Sequence, residues 1–228
     1  MRQIGILQTG RAPESLRQVH GDYDEMSRVF LGLPPEKVKH YSILKGEFPD
    51  SAAECQGWFI TGSRHGVYED HDWIAPLEAF IRLAHAENRK MVGVCFGHQI
   101  IAQALGGTVE KYHKGRTVGA VDYTYSTPNS DGQTVRLHAY HQDQVITPPK
   151  DTKLILTSDF CPFAGLSYGD WGFTVQPHPE FSKAYIKDLI TLRRGGALST
   201  PLADKALKSL DRPVQDGMRD QIRQFLQL

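Results

Sequence analysis

The chain has 228 residues, of which 40% are hydrophobic and 23% are charged, as in a globular protein with one sizeable α/β domain. Its 26 basic residues balance its 26 acidic residues, which argues against nucleic acid and against a charged membrane surface as partners. Its three cysteines are too few for a disulfide framework, and no apolar run is long enough for a signal peptide or a membrane span, so we expect a cytoplasmic protein.

The first hundred residues alternate predicted strands with predicted helices. Short apolar runs bounded by turn residues predict strands, and apolar residues at helical spacing predict helices. The strands are predicted at residues 4–7, 37–44, 57–60 and 90–94, and the helices at residues 23–31, 73–86 and 99–105. This alternation is typical of βαβ units in a parallel sheet, where ligands bind beyond the carboxyl ends of the strands.

The second half of the chain has a different pattern. It contains a predicted hairpin (residues 117–125 and 133–139, joined by 126–132), strands at 153–157, 162–167 and 172–176, and helices at 184–193, 202–210 and 214–228. We therefore predict a three-layer α/β fold, in which helices flank a mostly parallel central sheet. A small antiparallel β addition and a helical tail at about residues 190–228 complete a single predicted domain over residues 1–228.

The strand at residues 90–94 leads into a Gly-x-Cys-x-Gly turn. Gly93 and Gly97 flank Cys95 at a distance of two residues on either side, and a helical pattern follows at once. Such an elbow is too sharp for side chains at both flanking positions, and it raises a nucleophile above the edge of the sheet. Its position at a helix N-terminus also favours a thiolate. A buried core cysteine is the alternative for Cys95 taken alone, but the two glycines favour a nucleophile.

A cysteine nucleophile needs an imidazole that takes its proton and a carboxylate that orients the imidazole. Among ten histidines, His178 stands in a constrained frame, Gln-Pro-His-Pro-Glu at residues 176–180. The two prolines favour extended backbone, and residues two apart on a strand share a face. We therefore expect His178 and Glu180 to be neighbours. The alternative is a surface turn in which Glu180 is solvated.

Acyl chemistry also needs hydrogen-bond donors for the oxyanion. The backbone N–H of Phe96, directly after the nucleophile, is the usual first donor at such an elbow. A loop at a neighbouring strand end should supply the second, and Gly62 with Ser63 is the best candidate. A glycine there allows the backbone to approach the substrate closely, although a plain turn glycine is an alternative.

These residues resemble those of the class I glutamine amidotransferases of the triad type. Three segments carry the resemblance, in the order found in that family: Ile-Thr-Gly-Ser at 60–63, Gly-Val-Cys-Phe-Gly-His-Gln at 93–99 and Gln-Pro-His-Pro-Glu at 176–180. The similar layout extends over about residues 1–190. The resemblance implies that Cys95 is the nucleophile, that His178 is the base and then the acid, and that Glu180 orients His178.

The resemblance also implies which residues hold the substrate. Gly62 and Phe96 would form the oxyanion hole, and Gln99 would contact the γ-glutamyl group. Residues 142 and 143 fall where family members carry a loop that contacts the α-amino and α-carboxylate groups of the substrate. The full set of expected substrate and oxyanion contacts is Gly62, Ser63, Phe96, Gln99, Gln142 and Asp143.

Two departures from the biosynthetic members of the family concern the substrate. No glycine-rich phosphate loop is present, and we expect no synthetase domain after residue 228. The loop at residues 63–74 and the tail resemble a stand-alone branch that includes γ-glutamyl peptidases acting on glutathione-like conjugates. The resemblance therefore implies hydrolysis of a γ-glutamyl amide, in glutamine or in a γ-glutamyl peptide or conjugate, through a glutamyl thioester.

Other functions stay open at this point. A dienelactone-hydrolase-like ester hydrolase shares the cysteine elbow, but its acid precedes its histidine, whereas Glu180 follows His178. An amidase subunit that is active only with a separate synthetase partner is a second alternative, and a non-enzymatic subunit with a relict triad is a third. A panel of esters and γ-glutamyl amides separates the first alternative from the main hypothesis.

The remaining histidines do not predict a metal site. His138 with His141, and His65 with His71, are candidate ligand pairs, but their spacing matches no known site. We therefore expect no metal and no cofactor. His98 lies three residues past Cys95 and would project along the helix, so we expect it to pack or to orient a neighbour.

Overall fold

The computed structural model describes residues 3–127, 132–214 and 217–228. Its strands are β1 (Ile4–Gln8), β2 (Val38–Ser42), β3 (Gly57–Ile60), β4 (Lys90–Val94), β5 (Thr108–Lys111), β6 (Thr117–Tyr125), β7 (Thr134–His141), β8 (Asp143–Thr147), β9 (Lys153–Thr157), β10 (Gly165–Tyr168) and β11 (Gly172–Val175). Its helices are α1 (Glu14–His20), α2 (Tyr23–Phe30), α3 (Ile74–Ala86), α4 (Phe96–Ala104), α5 (Lys183–Arg193), α6 (Thr200–Ser209) and α7 (Gly217–Leu226).

The strands form one large and one small sheet. The large sheet has nine strands in the order β2-β1-β3-β4-β11-β10-β9-β6-β7. Its pairings from β2 to β11 are parallel, and those from β11 to β7 are antiparallel. β5 and β8 form the small antiparallel sheet. The predicted α/β class, with a large sheet between helices, a small antiparallel addition and a helical C-terminal part, is confirmed.

Helices cover both faces of the central strands. Every residue of β1 is buried, as expected for a parallel strand covered on two sides. Alternate side chains of β3 enter different cores, since Trp58 packs with residues of α3 and α4, whereas Phe59 packs with residues of α7. The predicted three layers follow from this alternation.

The two helices before α7 pack on the antiparallel half of the sheet. Tyr185, Ile186 and Leu189 of α5 share a core with Ala203 and Ala206 of α6 and with side chains of β6. Gly119 of β6 has φ of +102°, and a Cβ there would lie 3.0 Å from the Ala206 Cα, so the absence of a side chain lets α6 approach the strand. No helix within the described ranges combines the length and the apolar character needed to cross a membrane.

Several local predictions differ from the structure. Helix α1 is missing from the prediction because Leu16 is its one buried residue, which gives no helical period. The predicted strand at 37–44 ends at Ser42, and a 3-10 turn follows. The short strands β5 and β8 were not predicted. β6 and β7 confirm the antiparallel pair of the predicted hairpin, whereas residues 128–131 of its connection, and residues 215–216 of the last predicted helix, lie outside the described residues.

Candidate active site

The carboxyl ends of the parallel strands meet at one edge of the large sheet, and the predicted nucleophile lies there. Cys95 follows β4 and precedes α4, with φ of +52° and ψ of −102°. A Cβ on Gly93 would lie 2.4 Å from the carbonyl oxygen of Gly97, and a Cβ on Gly97 would lie 2.4 Å from the carbonyl oxygen of Ile60. The turn therefore tolerates no side chain at either flanking position, as predicted, and helix α4 begins at Phe96, three residues earlier than predicted.

The segment after β11 carries the predicted base. It forms a bend and a turn, not the strand on which the prediction of neighbouring side chains relied. His178 and Glu180 are nevertheless in contact, with 2.7 Å between His178 Nδ1 and Glu180 Oε1. Both residues are buried. The prolines at 177 and 179 restrict the backbone of the turn, which limits the movement of the imidazole relative to the carboxylate.

The side chains of Cys95 and His178 line the same cavity, and their interaction contributes to a shifted pKa of the imidazole. Because Nδ1 of His178 contacts Glu180, Nε2 is the ring nitrogen left for the sulfur. Burial alone lowers the pKa of His178, but the charges of Glu180 and Cys95 and their hydrogen bonds outweigh burial and raise this pKa to about 10. The imidazole is therefore positively charged at neutral pH, and it can stabilise a thiolate or donate a proton.

Two further side chains hold the turn that carries His178, and sequence reasoning missed both. The ring of Phe181 stacks on the imidazole of His178, with 4.0 Å between centroids and 7° between planes. His138 of β7 contacts both ends of the turn: its carbonyl oxygen accepts from the His178 N–H at 2.7 Å, and its Nδ1 lies 2.8 Å from the carbonyl oxygen of Phe181. A candidate metal ligand in the sequence is therefore a support of the turn.

The loop after β3 approaches the same point. A Cβ on Gly62 would lie 2.8 Å from His178 Cε1 and 3.7 Å from Cys95 Cβ, so the absence of a side chain lets this backbone lie against both residues. Thr9 and Thr61 fix the loop: the Thr9 N–H donates to Thr61 Oγ1 at 3.0 Å, and the Thr61 hydroxyl donates to the Gly62 carbonyl at 3.1 Å. This pair of threonines gave no signal in the sequence because each resembles an ordinary turn residue.

A cavity of about 590 Å³ opens onto Cys95 and His178, within the range of roughly 300–1,000 Å³ typical of small-molecule sites. Four of the predicted substrate contacts line it, namely Ser63, Gln99, Gln142 and Asp143. Six basic side chains line it as well: Arg11, Arg17, Arg64, Lys111, Arg116 and Arg193. This excess of cations in a chain of balanced charge favours an anionic ligand.

The predicted substrate contacts already have protein partners. The Gln99 amide donates to the Asp143 carbonyl at 2.8 Å and to Gln176 Oε1 at 3.0 Å. The Gln142 amide donates to the Tyr112 carbonyl at 3.3 Å, and the Asp143 carboxylate accepts from the Tyr68 hydroxyl at 3.0 Å. These bonds place the three side chains at the cavity wall in fixed positions.

His141 also lines the cavity. Burial, followed by the charge of His178, lowers its pKa to about 3, so the ring is neutral. Its Nδ1 lies 3.3 Å from the Asp143 carbonyl, and within the described part of the chain its buried Nε2 has no hydrogen-bond partner. The ring thus offers one free nitrogen beside the candidate triad.

The remaining predictions concern His98 and the other cysteines. His98 is fully buried, and its Nδ1 lies 2.8 Å from Thr174 Oγ1, in agreement with a packing role. Cys55 and Cys161 are buried in hydrophobic clusters and are packing residues. Burial raises the pKa of the Cys55 thiol to about 11, which keeps it a thiol. Across the described residues, one group of side chains could hold a metal ion: His65, Glu69 and His71.

Comparison with known proteins gives a family match over residues 38–190, to Glutamine amidotransferase class-I. The chain is 29% identical over 215 residues to gamma-glutamyl peptidase 4 of Arabidopsis thaliana, and the match covers 89% of this chain and 86% of that protein. It is 32% identical over 142 residues to one subunit of the glutamine-hydrolyzing GMP synthase from Methanospirillum hungatei JF-1, with 58% of this chain and 67% of that protein covered.

Solved structures share the fold. A glutamine amido transferase from Methylobacillus flagellatus has a TM-score of 0.75 at 19% identity, with 99% of this chain and 91% of that chain covered. A glutamine amidotransferase from Thermotoga maritima has a TM-score of 0.72 at 18% identity, with both chains covered fully. Since the family match spans more than half of the sequence, the chain belongs to the class-I glutamine amidotransferase family and is an enzyme of that type.

Proposed function

We propose that the protein hydrolyses γ-glutamyl amides, with Cys95 as nucleophile, His178 as acid and base, and Glu180 as the residue that orients His178. The observation that supports this most directly is the 2.7 Å contact of Glu180 with His178, beside a cysteine that helps to raise the pKa of the imidazole. Cys95 stands on an elbow that opens onto the cavity, which His178 also lines. A nucleophile, a base and an orienting carboxylate placed next to one another are the arrangement that activates a thiol.

In the first half of the reaction, the Cys95 sulfur attacks the γ-carbonyl carbon of the substrate. The carbonyl electrons move to oxygen, and the oxyanion lies against the backbone N–H groups of Phe96 and Gly62. Collapse of this intermediate breaks the C–N bond, and protonated His178 gives its proton to the leaving nitrogen. The products are ammonia or an amine and a glutamyl thioester on Cys95.

In the second half, water replaces the leaving amine. Neutral His178 takes a proton from the water as its oxygen attacks the thioester carbonyl. The C–S bond then breaks, glutamate leaves, and Cys95 returns as a thiolate paired with the imidazolium. Glu180 holds the Nδ1 side of the ring throughout, so that Nε2 faces the reacting atoms in both halves.

The size of the cavity and its basic lining support a substrate longer than glutamine. The relatives include gamma-glutamyl peptidase 4 of Arabidopsis thaliana, and basic side chains such as Arg11 and Arg116 line the cavity beyond the triad. A γ-glutamyl peptide carries further carboxylates that these cations can bind. We therefore propose γ-glutamyl peptides or conjugates as preferred substrates over free glutamine.

The test is turnover of glutamine, glutathione and a γ-glutamyl conjugate by the purified protein, beside a panel of simple esters. We expect the peptide or conjugate to have the highest kcat/KM, and Cys95→Ala to lower turnover by several orders of magnitude. Cys55→Ala is the control, because it removes a buried thiol that does not line the cavity. An ester preference, or a near-wild-type rate for Cys95→Ala, would contradict the proposal.

The family also includes amidases that serve a second protein, as the name of the GMP synthase relative implies. Turnover measured with and without a cell extract separates the two cases. Under the proposal, the purified protein releases glutamate at its full rate without the extract. A rate that rises by orders of magnitude with the extract would instead indicate a partner-dependent amidase.

A further inference from the structure

Three potential metal ligands meet in the loop between Gly62 and α3. Glu69 Oε2 lies 3.1 Å from His65 Nδ1 and 2.8 Å from His71 Nε2. One ligand atom from each of the three residues lies within 4.8 Å of the other two. In the sequence the two histidines form a pair without a known spacing, and the fold of the loop brings the carboxylate between them.

The distances fit a small divalent cation. Ligand atoms bound tetrahedrally at 2.0–2.2 Å from zinc lie roughly 3.3 Å from one another. The two separations from Glu69, 3.1 Å and 2.8 Å, need to increase by only a few tenths of an ångström to reach that value. The separation of the two histidine ligand atoms is under 4.8 Å, so the rings approach each other as the metal binds. Two imidazoles and one carboxylate are also a ligand set found in zinc sites that keep a fourth position open.

Neighbouring groups hold the three side chains in place. The ring of His71 stacks on Trp73, with 5.5 Å between centroids and 8° between planes. The N–H of His65 donates to Ser63 Oγ at 3.2 Å, and the N–H of Glu69 donates to the Gly66 carbonyl at 3.1 Å. Such outer contacts orient ligands before a metal binds, so a cation would meet a preformed site.

The loop also connects this cluster with the candidate active site. His65 and Glu69 line the same cavity as Cys95, so a cation bound to them would lie at the wall of that cavity. Trp73, which stacks on His71, packs against the ring of Phe96 at 5.6 Å between centroids. A cation bound here would fix the loop that begins at Gly62.

We propose that His65, Glu69 and His71 form a binding site for one Zn²⁺ or a similar divalent transition metal at the wall of the cavity. This site is distinct from the triad and does not depend on the proposed amide hydrolysis. The competing explanation is a purely hydrogen-bonded cluster that stiffens the loop without a metal. That explanation predicts no metal affinity beyond that of an ordinary surface histidine.

The test needs a background that excludes a second metal site. A cysteine thiolate beside an imidazole is itself a zinc ligand pair, so all proteins carry Cys95→Ser. Zn²⁺ is titrated calorimetrically into chelator-stripped protein, and Co²⁺ is added to a second sample for its visible absorption. We expect one metal per chain, the intense absorption of tetrahedral Co²⁺, and a Tm that rises with the concentration of free metal.

Three variants decide whether the named residues hold the metal. His71→Ala and Glu69→Gln should weaken binding by more than the roughly 10- to 100-fold that loss of an outer-sphere partner costs, whereas His113→Ala, at an exposed position, should leave it unchanged. Glu69→Gln keeps the size of the side chain, and a Tm measured in chelator checks that the variants fold. Absence of stoichiometric binding in the Cys95→Ser protein, or equal affinity in all variants, would overturn the proposal.

Discussion

Cys95 has a backbone conformation that L-residues rarely adopt, and the surrounding residues impose it. Its φ of +52° carries a cost on the order of 1–3 kcal/mol, which proteins tolerate mainly at functional sites. The glycines at 93 and 97 make this conformation possible, because each lies too close to a backbone carbonyl to carry a Cβ. The three residues stand at a fixed spacing in the sequence, so the elbow could be predicted from the sequence alone.

Other parts of the site could not be predicted at this scale. Gln99 lines the cavity, but the hydrogen bonds of its amide to Asp143 and Gln176 could not be read from the sequence. Glu69 was not singled out, because one carboxylate between two histidines in a loop has no sequence signature. The positions of such groups depend on how a loop folds back on itself, which local spacing does not encode.

Replacing Glu180 by Gln should move the alkaline limb of the pH profile of kcat/KM to lower pH. In the wild type, the pKa of His178 is raised to about 10, so the imidazolium that protonates the leaving amine is lost only near that pH. Without the carboxylate, the proton is held less tightly, and the acid form disappears earlier as pH rises. Asp122→Asn, which changes a carboxylate on β6, should leave the limb in place. An unshifted limb in Glu180→Gln would contradict the orienting role.

The same raised pKa links stability to pH. The folded protein binds the His178 proton more tightly than the unfolded chain, whose pKa is near 6.5. This contribution to the free energy of unfolding is complete below the unfolded pKa and is lost as pH rises through the folded value. Urea denaturation at pH 6 and pH 10 should show a smaller decrease in Cys95→Ala than in the wild type, since the variant lacks one partner that raises the pKa. Equal decreases would argue against the coupling of Cys95 with His178.

Gly62→Ala should impair catalysis without unfolding the protein. Its new Cβ would lie 2.8 Å from His178 Cε1, and the ring of Phe181 stacked on the imidazole limits its retreat. A displacement of about 1 Å in a catalytic group can cost roughly 100-fold in rate, so we expect a loss of that order in kcat/KM. Gly217→Ala is the control, because a Cβ there meets nothing within 4 Å. A wild-type rate for Gly62→Ala would mean that His178 does not occupy this position during turnover.

Among the secondary-structure elements, the strand β7 and the turn after β11 determine the geometry of the base. The sequence predicted the contact of His178 with Glu180 from strand alternation, but the segment is a turn. His178 and Glu180 are still in contact, because the turn brings the same two side chains together. His138, from β7, fixes that turn at both ends, and this role depends on a pairing between distant segments that no local pattern reveals.

His138→Ala should lower kcat more than it changes KM. The variant leaves the buried carbonyl of Phe181 without the ring donor and so loosens the turn that carries His178, while the cavity wall stays intact. His138→Asn should restore much of kcat, because its amide can reach the position of Nδ1 as a donor. If His138→Ala changed the Tm and left kcat unaffected, His138 would be a purely structural residue.

For the whole molecule, the C-terminal helix completes the core on one face of the sheet. Met218, Ile222 and Leu226 of α7 are buried against strands that lead to the elbow, and the side-chain amide of Gln56 donates to the carbonyl of Leu226 at 3.1 Å. The α/β layers could be predicted from alternating strands and helices. The pairing of β4 with β11 could not, since it joins residues far apart in sequence. We propose on these contacts that residues 1–228 unfold as one domain.

Ile222→Ala tests that organisation. Loss of a fully buried Ile side chain should lower the free energy of unfolding by about 2–5 kcal/mol, and the whole chain should still unfold in one transition. Urea denaturation followed by circular dichroism and by residual amidase activity measures both. Gln224→Ala, at an exposed position of the same helix, should change stability by less than about 0.5 kcal/mol. Activity that outlasts the loss of helical signal would contradict a single cooperative domain.

The most direct test of the nucleophile uses a glutamine analogue with an electrophilic ketone at the γ position. Such a compound alkylates the group that attacks a γ-glutamyl carbonyl, and mass spectrometry of the digested protein locates the adduct. We predict one adduct per chain, on Cys95, formed in proportion to the loss of activity and absent from Cys95→Ser. Full inactivation with the adduct on another residue, or a fully active protein alkylated at Cys95, would contradict the account.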